Sequence, residues 1–517
     1  MRKCLILAAG KGSRMGNNTI HKGLLPISGK AVISNTFENI KCEEFVVAVG
    51  YKAQQIIDYC KCAHPNLNIK FIHVDNYDQP GSGPGYSMNC CRKELQEPFI
   101  ITTSDSYFTS RLPIIDDDWI GITKVSDPEN YSTCDIDCDS NIINFQNKNK
   151  HSRQFVFTGV MGVKDYHGFW NKFDSYIAAK NENEVEAIGP LYDPPYAKIK
   201  GILIGWKDTG RKLLYEHLKK NSYNFASYEL PKINVSEYTY KINNKVIKLA
   251  PPEIIHKKKT RAKVLKKLIP DLCCDNFENV MAYNFVEGKT LYENDNAQDF
   301  LRFLYWVSEN LFKSAKKSLL DNKFLENFYI NKTKSRVSKF INMYNLSPDS
   351  EFVINGTNCL SLNKTMDLIP WEKIISNSIA YPFHGDLNFG NAIIDNDSNF
   401  KLIDWREDFE GDDFGDLYYD LAKLYAGSAV NFMIACQKKN LINISGEINI
   451  TNCQTQSTID FLKYYEEWLQ ENDYDCNKVK LIAFLTYLNM SPLHPDEFGQ
   501  YLFYKGILEL NKIINHA

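Results

Sequence analysis

Long apolar runs are missing from this chain. None approaches the ~18 residues that a bilayer-spanning helix needs, so no membrane span is expected. The opening, Met1-Arg2-Lys3-Cys4-Leu5-Ile6-Leu7, begins like a secretion signal, but its apolar run stops at Gly10-Lys11-Gly12. That is too early for a hydrophobic region and cleavage site, and a cytoplasmic protein is the expectation. An excess of one charge is missing too. The 60 Lys and Arg against 63 Asp and Glu leave a net charge of −3, which gives no basis for nucleic-acid binding. Short basic runs such as His256-Lys257-Lys258-Lys259 read as solvated faces. The 14 cysteines include no C-x-x-C pair. Cys60-x-Cys62 and Cys134-x-x-x-Cys138 would each need two further ligands to hold zinc, and reduced, mostly buried thiols fit better. The glycine stretch from Gly10 to Gly16 contains neither G-x-G-x-x-G nor G-K-[ST], so the dinucleotide and P-loop fingerprints do not apply to it.

What is present divides in two, as 517 residues lead one to expect. In the first half, strands predicted at Lys3–Ala8, Phe45–Val49, Ile69–Val74 and Pro98–Thr103 alternate with helices at Ala31–Ile40, Ala53–Cys60 and Tyr86–Leu95. This alternation predicts an α/β domain with a parallel sheet and helices on both faces. Ligands of such sheets bind beyond the carboxyl ends of the strands. Two features fall there: the glycine loop Gly10-Lys11-Gly12-Ser13-Arg14-Met15-Gly16, and Asp105. Glycines let backbone N–H groups approach a triphosphate, and Arg14 and Lys22 add positive charge. Gly81-Ser82-Gly83-Pro84-Gly85, before a helix, suits a base edge or an anion, or is a plain turn. Ser126 to Lys180 shows no clear period.

The run Leu7-Ala8-Ala9-Gly10-x-Gly12-Ser13-Arg14-Met15, followed by His21-Lys22-x-Leu24-Leu25-Pro26, resembles the sugar-phosphate and phosphocholine nucleotidyltransferases over roughly the first 215 residues. The resemblance implies a Rossmann-like domain with a mixed, mainly parallel sheet. It also implies that Leu7 to Gly10, Gly12, Ser13 and Arg14 hold the triphosphate, that Lys22 neutralises it, and that Gly83 and Gly85 lie near the base. Asp105 stands where that family keeps its first Mg²⁺ aspartate. Trp206-Lys207-Asp208-Thr209-Gly210 resembles the element whose Asp is the second metal ligand, the lesser alternative for Asp208 being a cap of the helix predicted at Lys212–Lys220. Phe157-Thr158-Gly159-Val160 resembles the acceptor-site strand.

The second half carries Phe383-His384-Gly385-Asp386-Leu387-Asn388-Phe389-Gly390-Asn391, then Leu402-Ile403-Asp404-Trp405-Arg406. Asp386 to Asn391 has the D-x-x-x-x-N spacing of a phosphoryl-transfer loop: a carboxylate for the proton of an attacking hydroxyl, then an amide oxygen and a further carboxylate for Mg²⁺. A polar surface turn is the plain alternative. His-Gly-Asp with Asp-Trp-Arg resembles the aminoglycoside phosphotransferase and choline kinase family, which implies a two-lobed, protein-kinase-like (α+β) domain. In it Asp386 is the base and Asn391 and Asp404 hold Mg²⁺, while Asp416 and Asp420 brace the loop. The hairpin Tyr238–Ile242, Asn243-Asn244, Val246–Lys248 has the shape of the strand whose Lys grips phosphates. Lys248 is the choice, with Lys245 the fallback or a solvated strand Lys the alternative, and Glu253 the nearest acidic partner. No glycine lies between Ser222 and Lys248, so Ser236 and its neighbours would cover the phosphates. Tyr283 to Leu291, with Glu287, resembles the adenine-holding hinge. Helices predicted at Phe300–Phe312, Ser335–Tyr344, Asp460–Gln470 and Lys478–Asn489 complete a helical lobe, and dense aromatics such as Trp468 and Tyr465 read as core packing.

The expected domains are 1–222, a nucleotidyltransferase, and 223–517, a small-molecule kinase with an ATP lobe (223–290) and a helical lobe (291–517). Together they predict a bifunctional enzyme using ATP, CTP (or another NTP) and Mg²⁺: a small alcohol, choline-like or a polyol, is phosphorylated, and its phosphate then receives a nucleotidyl group. The product would be an activated donor for decorating a surface glycan or lipid. Alternatives are a sugar kinase joined to a sugar-1-phosphate nucleotidyltransferase, or a regulatory scaffold with one inactive domain. A homo-oligomer is compatible with the sequence and not required by it.

Overall fold

The computed structural model describes residues 2–16, 19–79, 82–146, 153–180, 199–221, 237–274, 276–314, 320–409, 414–438, 440–494 and 496–516. Ser236, Gly81 and residues 222–227 of the expected junction lie outside them. Two compact units emerge. One holds Met1–Ala226, Ser236–Pro252 and Cys274–Ala282; the other holds Ser227–Val235, Glu253–Cys273 and Tyr283–Ala517.

The first unit is built on a mixed nine-stranded sheet. Its centre is β1 (Lys3–Ala8), flanked in parallel by β2 (Glu44–Val49) and β4 (Phe99–Thr103), with β3 (Ile69–His73) beyond β2. These are near-continuous apolar runs because the central strands of a parallel sheet are covered on both faces. The covers include α1 (Val32–Asn39), α2 (Ala53–Ala63) and α3 (Pro84–Cys91), and α4 (Tyr166–Lys180) and α5 (Lys212–Asn221) follow later in the chain. The segment with no clear period in the sequence supplies the antiparallel extension. Here β9 (Phe155–Val163) pairs with β4, β6 (Trp119–Thr123) and β7 (Thr133–Ile136); β7 pairs with β8 (Ile142–Gln146), and β6 runs parallel to β10 (Lys200–Leu203). The bulge near Gly159 (φ +79°), where the register of β9 shifts, broke the alternation that would have announced this strand.

Consecutive connections leave β1 toward β2 on one side, and the chain reaches β4 on the other. The gap beyond their carboxyl ends is therefore a topological switch point. A short ribbon closes over one side of it: β5 (Ser106–Phe108) pairs antiparallel with β11 (Trp206–Asp208), and Asp208 stands opposite Ser106.

The hairpin β12 (Tyr238–Ile242) and β13 (Lys245–Leu249) forms as the sequence predicts, its turn made by Asn243 and Asn244 in the left-handed region (φ 48° and 58°) that asparagine tolerates. It packs within the first unit. The Tyr240 ring lies edge-on to Tyr59 of α2 at 4.8 Å, and its hydroxyl donates to the Leu24 carbonyl. The Lys241 N–H donates to the Gly29 carbonyl at 2.8 Å. Asn279 donates its backbone and side-chain N–H groups to Asp58 Oδ2 at 2.9 and 3.0 Å. In sheet order, β14 (Leu272–Cys274) and β15 (Val280–Asn284) extend the hairpin as β12-β13-β15-β14.

The second unit pairs β16 (Gly288–Thr290) with β17 (Ala392–Asp395), and β17 with β18 (Phe400–Leu402), all antiparallel. Its helices include α6 (Pro252–Val264), α7 (Ala297–Asn310), α8 (Lys332–Tyr344), α9 (Leu417–Ala429), α10 (Gln456–Glu471), α11 (Cys476–Met490) and α12 (Glu497–His516). Tyr465 and Trp468 of α10 are buried core side chains.

Tyr240→Ala is expected to cost about 3–5 kcal/mol, the range for emptying a buried aromatic site, and Tyr240→Phe only about 1 kcal/mol. Urea unfolding of the full chain checks this, and near-equal costs would contradict the packing on Tyr59.

Candidate active sites

In the first unit, the loop after β1 and the turn after β4 meet through one lysine. The Ser104 N–H donates to the Leu7 carbonyl at 3.1 Å, which joins the two strand ends. Lys22 Nζ lies 2.6 Å from Asp105 Oδ2, both side chains largely buried. Gly12 is held at φ +65°, and a Cβ there would come 3.0 Å from Lys22 Cδ, so this position needs glycine twice over. Gly10, Ser13 and Arg14 are exposed, and Ala8 and Ala9 are buried beneath them. His21 is buried. Its Nδ1 accepts the Gly23 N–H at 3.1 Å and its own N–H donates to Gln55 Oε1 at 3.1 Å, which fixes the backbone that carries Lys22. Burial and the Lys22 charge push the His21 imidazole down to about 3, so it stays neutral.

Asp208 reaches the same place from the ribbon. The Thr209 N–H and hydroxyl donate to the Asp105 carbonyl at 2.9 and 2.7 Å, and the Gly210 N–H donates to Asp208 Oδ1 at 2.7 Å. Tyr131 donates to Asp208 Oδ2 at 2.9 Å, and Arg211 Nε lies 3.3 Å from that oxygen. Arg211 also stacks on the Tyr131 ring at 4.8 Å and pairs with Asp127 at 2.7 Å. Tyr131 and Arg211 were not singled out from the sequence: Tyr131 sits in the stretch without a period, and only its position next to Gly210 marks Arg211. Gly83 and Gly85 open α3. Among the described residues, no hydrogen bond joins them to the Lys22–Asp105 pair.

In the second unit, the Asp386–Asn391 loop leads into the β17–β18 hairpin. Asn391 Nδ2 donates to Asp386 Oδ2 at 2.9 Å and to its carbonyl at 2.8 Å. The Ile403 N–H donates to the Asn391 carbonyl and the Arg406 N–H to the His384 carbonyl, both at 2.9 Å, so Asp404 is held between two backbone ties to the loop. Asp404 itself has φ +60°, costly for a non-glycine residue and common where a side chain must be aimed. Buried His384 accepts the Asp386 N–H on Nδ1 (3.3 Å) while its Nε2 faces the Ile403 carbonyl (3.0 Å). Burial lowers its pKa. Asp420 accepts the His384 and Gly385 N–H groups at 2.6 and 2.8 Å and the Tyr381 hydroxyl; Asp416 accepts Tyr329, Ser378, Ile379 and Tyr418. Sequence reasoning missed Lys423, whose buried Nζ lies 2.6 Å from Asp386 Oδ1. Its signal was a cation inside α9, a helix whose only other charged residue is Asp420.

Two expectations need correction. Lys258 is not on a solvated face. It is buried, with Nζ donating to the Trp405 carbonyl at 2.9 Å while Trp405 Nε1 donates back to the Lys258 carbonyl at 3.1 Å, because that side of α6 packs on the segment after Asp404. Lys248, buried in the first unit, pairs not with Glu253 but with Glu237 at 3.2 Å and donates to Thr239 at 2.9 Å; both partners flank it across the hairpin. Lys245 begins the same strand, and Glu287 is exposed just before β16.

Residues 4–112 match the MobA-like NTP transferase domain. The first unit carries a nucleotidyltransferase domain. The bifunctional protein GlmU of Methanococcus vannielii is 26% identical over 245 residues, 44% of this chain and 56% of that protein. The bifunctional IPC transferase and DIPP synthase of Archaeoglobus fulgidus is 27% identical over 113 residues, 22% of each chain. The chain thus spans about half the length, or less, of these curated relatives. Among solved structures, the CTP:phosphocholine cytidylyltransferase of Streptococcus pneumoniae is 16% identical and covers 43% of this chain and 98% of its own, with a TM-score of 0.36.

The nucleotidyltransferase residues fit a divalent cation. A Cβ at Gly210 would fall 2.5 Å from Asp105 Oδ2 and 3.0 Å from Asp208 Oδ1, so only glycine lets both carboxylates face one gap. Carboxylate oxygens are the donors that Mg²⁺ prefers. In the second unit, the Asn391 amide nitrogen is committed to Asp386, which leaves its oxygen end for a cation.

Burial alone would raise the Asp105 pKa, but the charge and hydrogen bond of Lys22 outweigh it and hold the carboxyl down at about 2, against an ordinary 3.8. A depressed carboxylate stabilises the fold above its unfolded pKa, and that stability is lost as pH falls from about 4 toward 2. Lys22→Met should bring the Asp105 titration above 3.8 and abolish this loss of stability, which ¹³C NMR titration and acid-dependent urea midpoints would both register.

Proposed function

We propose that the chain is a bifunctional transferase: its second unit phosphorylates a small alcohol with ATP, and its first unit transfers a nucleotidyl group, CMP from CTP, to the phosphate. The observation that carries this reading is that one chain holds two separate carboxylate centres, Lys22–Asp105–Asp208 in one unit and Asp386–Asn391–Asp404 in the other. A phosphate monoester made at the second centre is the nucleophile that the first requires.

In the kinase step, the alcohol oxygen bonds to the γ-phosphorus as the bridging P–O bond breaks and its electron pair leaves with ADP; the hydroxyl proton passes to Asp386. The hinge at Glu287 would hold adenine, and Asn391 and Asp404 would hold Mg²⁺. In the nucleotidyl step, an oxygen of the monoester bonds to the α-phosphorus of CTP and pyrophosphate leaves. The backbone from Leu7 to Ser13 cradles the triphosphate, Arg14 and Lys22 offset its charge, Gly83 and Gly85 lie toward the base, and Asp105 and Asp208 hold Mg²⁺. Bound Mg²⁺ supplies charge neutralisation and a template for the phosphates at each centre. Lys22 then exchanges its carboxylate partner for phosphate.

The choice of CTP rests on the resemblance of His21-Lys22-x-Leu24-Leu25 to the phosphocholine cytidylyltransferases, and a choline-like amino alcohol or polyol is the lead acceptor. The Trp206–Gly210 element favours a second reading, a sugar kinase joined to a sugar-1-phosphate nucleotidyltransferase.

Phosphorus-31 NMR of the full chain with Mg²⁺, ATP, CTP and a panel of amino alcohols, polyols and sugars tests both. A diphosphate diester that needs one alcohol and both nucleotides is expected, and the alcohol consumed decides between the readings. Asp386→Asn should stop monoester formation while supplied monoester is still converted to diester. Asp105→Asn should do the reverse. Loss of both steps from either change would overturn the two-centre reading.

A further inference from the structure

One face of α9 grips the Asp386–Asn391 loop and the residues before it at three successive points. Asp420, Lys423 and Gly427 stand at i, i+3 and i+7, the spacing that aligns positions along one side of a helix. Asp420 accepts the N–H groups of His384 and Gly385. Lys423 Nζ lies 2.6 Å from Asp386 Oδ1. Gly427 abuts Asn388: a Cβ there would come 2.9 Å from the Asn388 Cβ. The helix thus follows the loop residue by residue, and the middle contact falls on the carboxylate.

That middle contact supplies what the loop lacks. No Lys or Arg occurs between His384 and Asn391, so the loop has no cation of its own beside Asp386. Burial would push the Lys423 ammonium toward neutrality, but the Asp386 charge outweighs it and holds the pKa above its ordinary 10.5. The ammonium therefore stays charged at any working pH. With Lys423 on Oδ1 and the Asn391 amide on Oδ2 at 2.9 Å, the carboxylate plane of Asp386 is fixed from both ends. A carboxylate held this way keeps one orientation toward an incoming hydroxyl, and small errors in such orientation are costly in rate.

Resting on the reading of the second unit as a phosphotransferase, we infer that Lys423 is the positioning residue of its reaction, holding Asp386 in the orientation that accepts the hydroxyl proton. It makes no bond to phosphorus and gives up no proton. The oxygen-to-phosphorus bond forms, the bridging bond breaks toward ADP, and the proton goes to Asp386, all with the ammonium in place.

The test compares Lys423→Met and Lys423→Arg in the full chain, measuring monoester formation with the alcohol identified by NMR. Lys423→Met should lower kcat on the order of 100-fold while KM for ATP stays within about two-fold, the signature of lost transition-state alignment rather than lost binding. Lys423→Arg, which keeps the charge, should recover at least about ten-fold of that loss. Combined with Asp386→Asn, Lys423→Met should add almost nothing, since it works through the group already removed. Three outcomes would overturn the inference: kcat within two-fold of wild type in Lys423→Met, a parallel rise in KM for ATP that marks a merely structural role, or full additivity in the double variant. Ester formation that ignores Lys423→Met removes this inference alone. Absence of any ester from the wild-type chain removes the phosphotransferase reading and this inference with it.

Discussion

A charged group taken out of water needs a partner of opposite charge or a set of hydrogen bonds, and both centres of this chain are laid out around that requirement. Buried Asp105 is given Lys22, and buried Lys423 is given Asp386. The two solutions differ in where the ammonium comes from. Lys22 rides on a short turn whose backbone is fixed by buried His21. Lys423 projects from the middle of a buried helix and has far less room to move. One lysine is placed by a turn and the other by a helix.

The same requirement explains the glycines at both centres. Gly210 is small because two carboxylates close on it, Gly12 because Lys22 passes over it, and Gly385 because the Arg406 side chain lies against it at φ +85°. Each marks a place where a charged group comes closer to the backbone than a side chain would permit. These glycines are therefore part of the electrostatics of the centres and not only of their turns.

The sequence was most informative where local chemistry is self-contained. The apolar runs of β1, β2 and β4, the Asn243-Asn244 turn and the Asp386–Asn391 loop each depend on residues close in the chain, and each was legible. What was hidden depends on distant partners. The antiparallel strands β7 to β9 are interrupted by a bulge and by polar positions, so their period is broken. Lys248 looked for an acid on the following helix, but its neighbour across the hairpin supplied one. Lys258 looked solvated because it stands among basic residues; the Trp405 carbonyl that receives it is nearly 150 positions away. Lys423 announced itself only as a charge in the wrong kind of helix.

The hairpin β12–β13 and the bend that carries Asn279 have a consequence for how the protein is made. Both follow α5 (Lys212–Asn221) in the chain, yet both belong to the first unit. During synthesis, the sheet and α2 emerge long before the residues that cover Tyr59 and receive the charge of Asp58. The first unit cannot finish folding until the ribosome has passed residue 282, by which point it is already translating the other unit. Cutting the gene at the apparent end of the nucleotidyltransferase would leave that interval permanent.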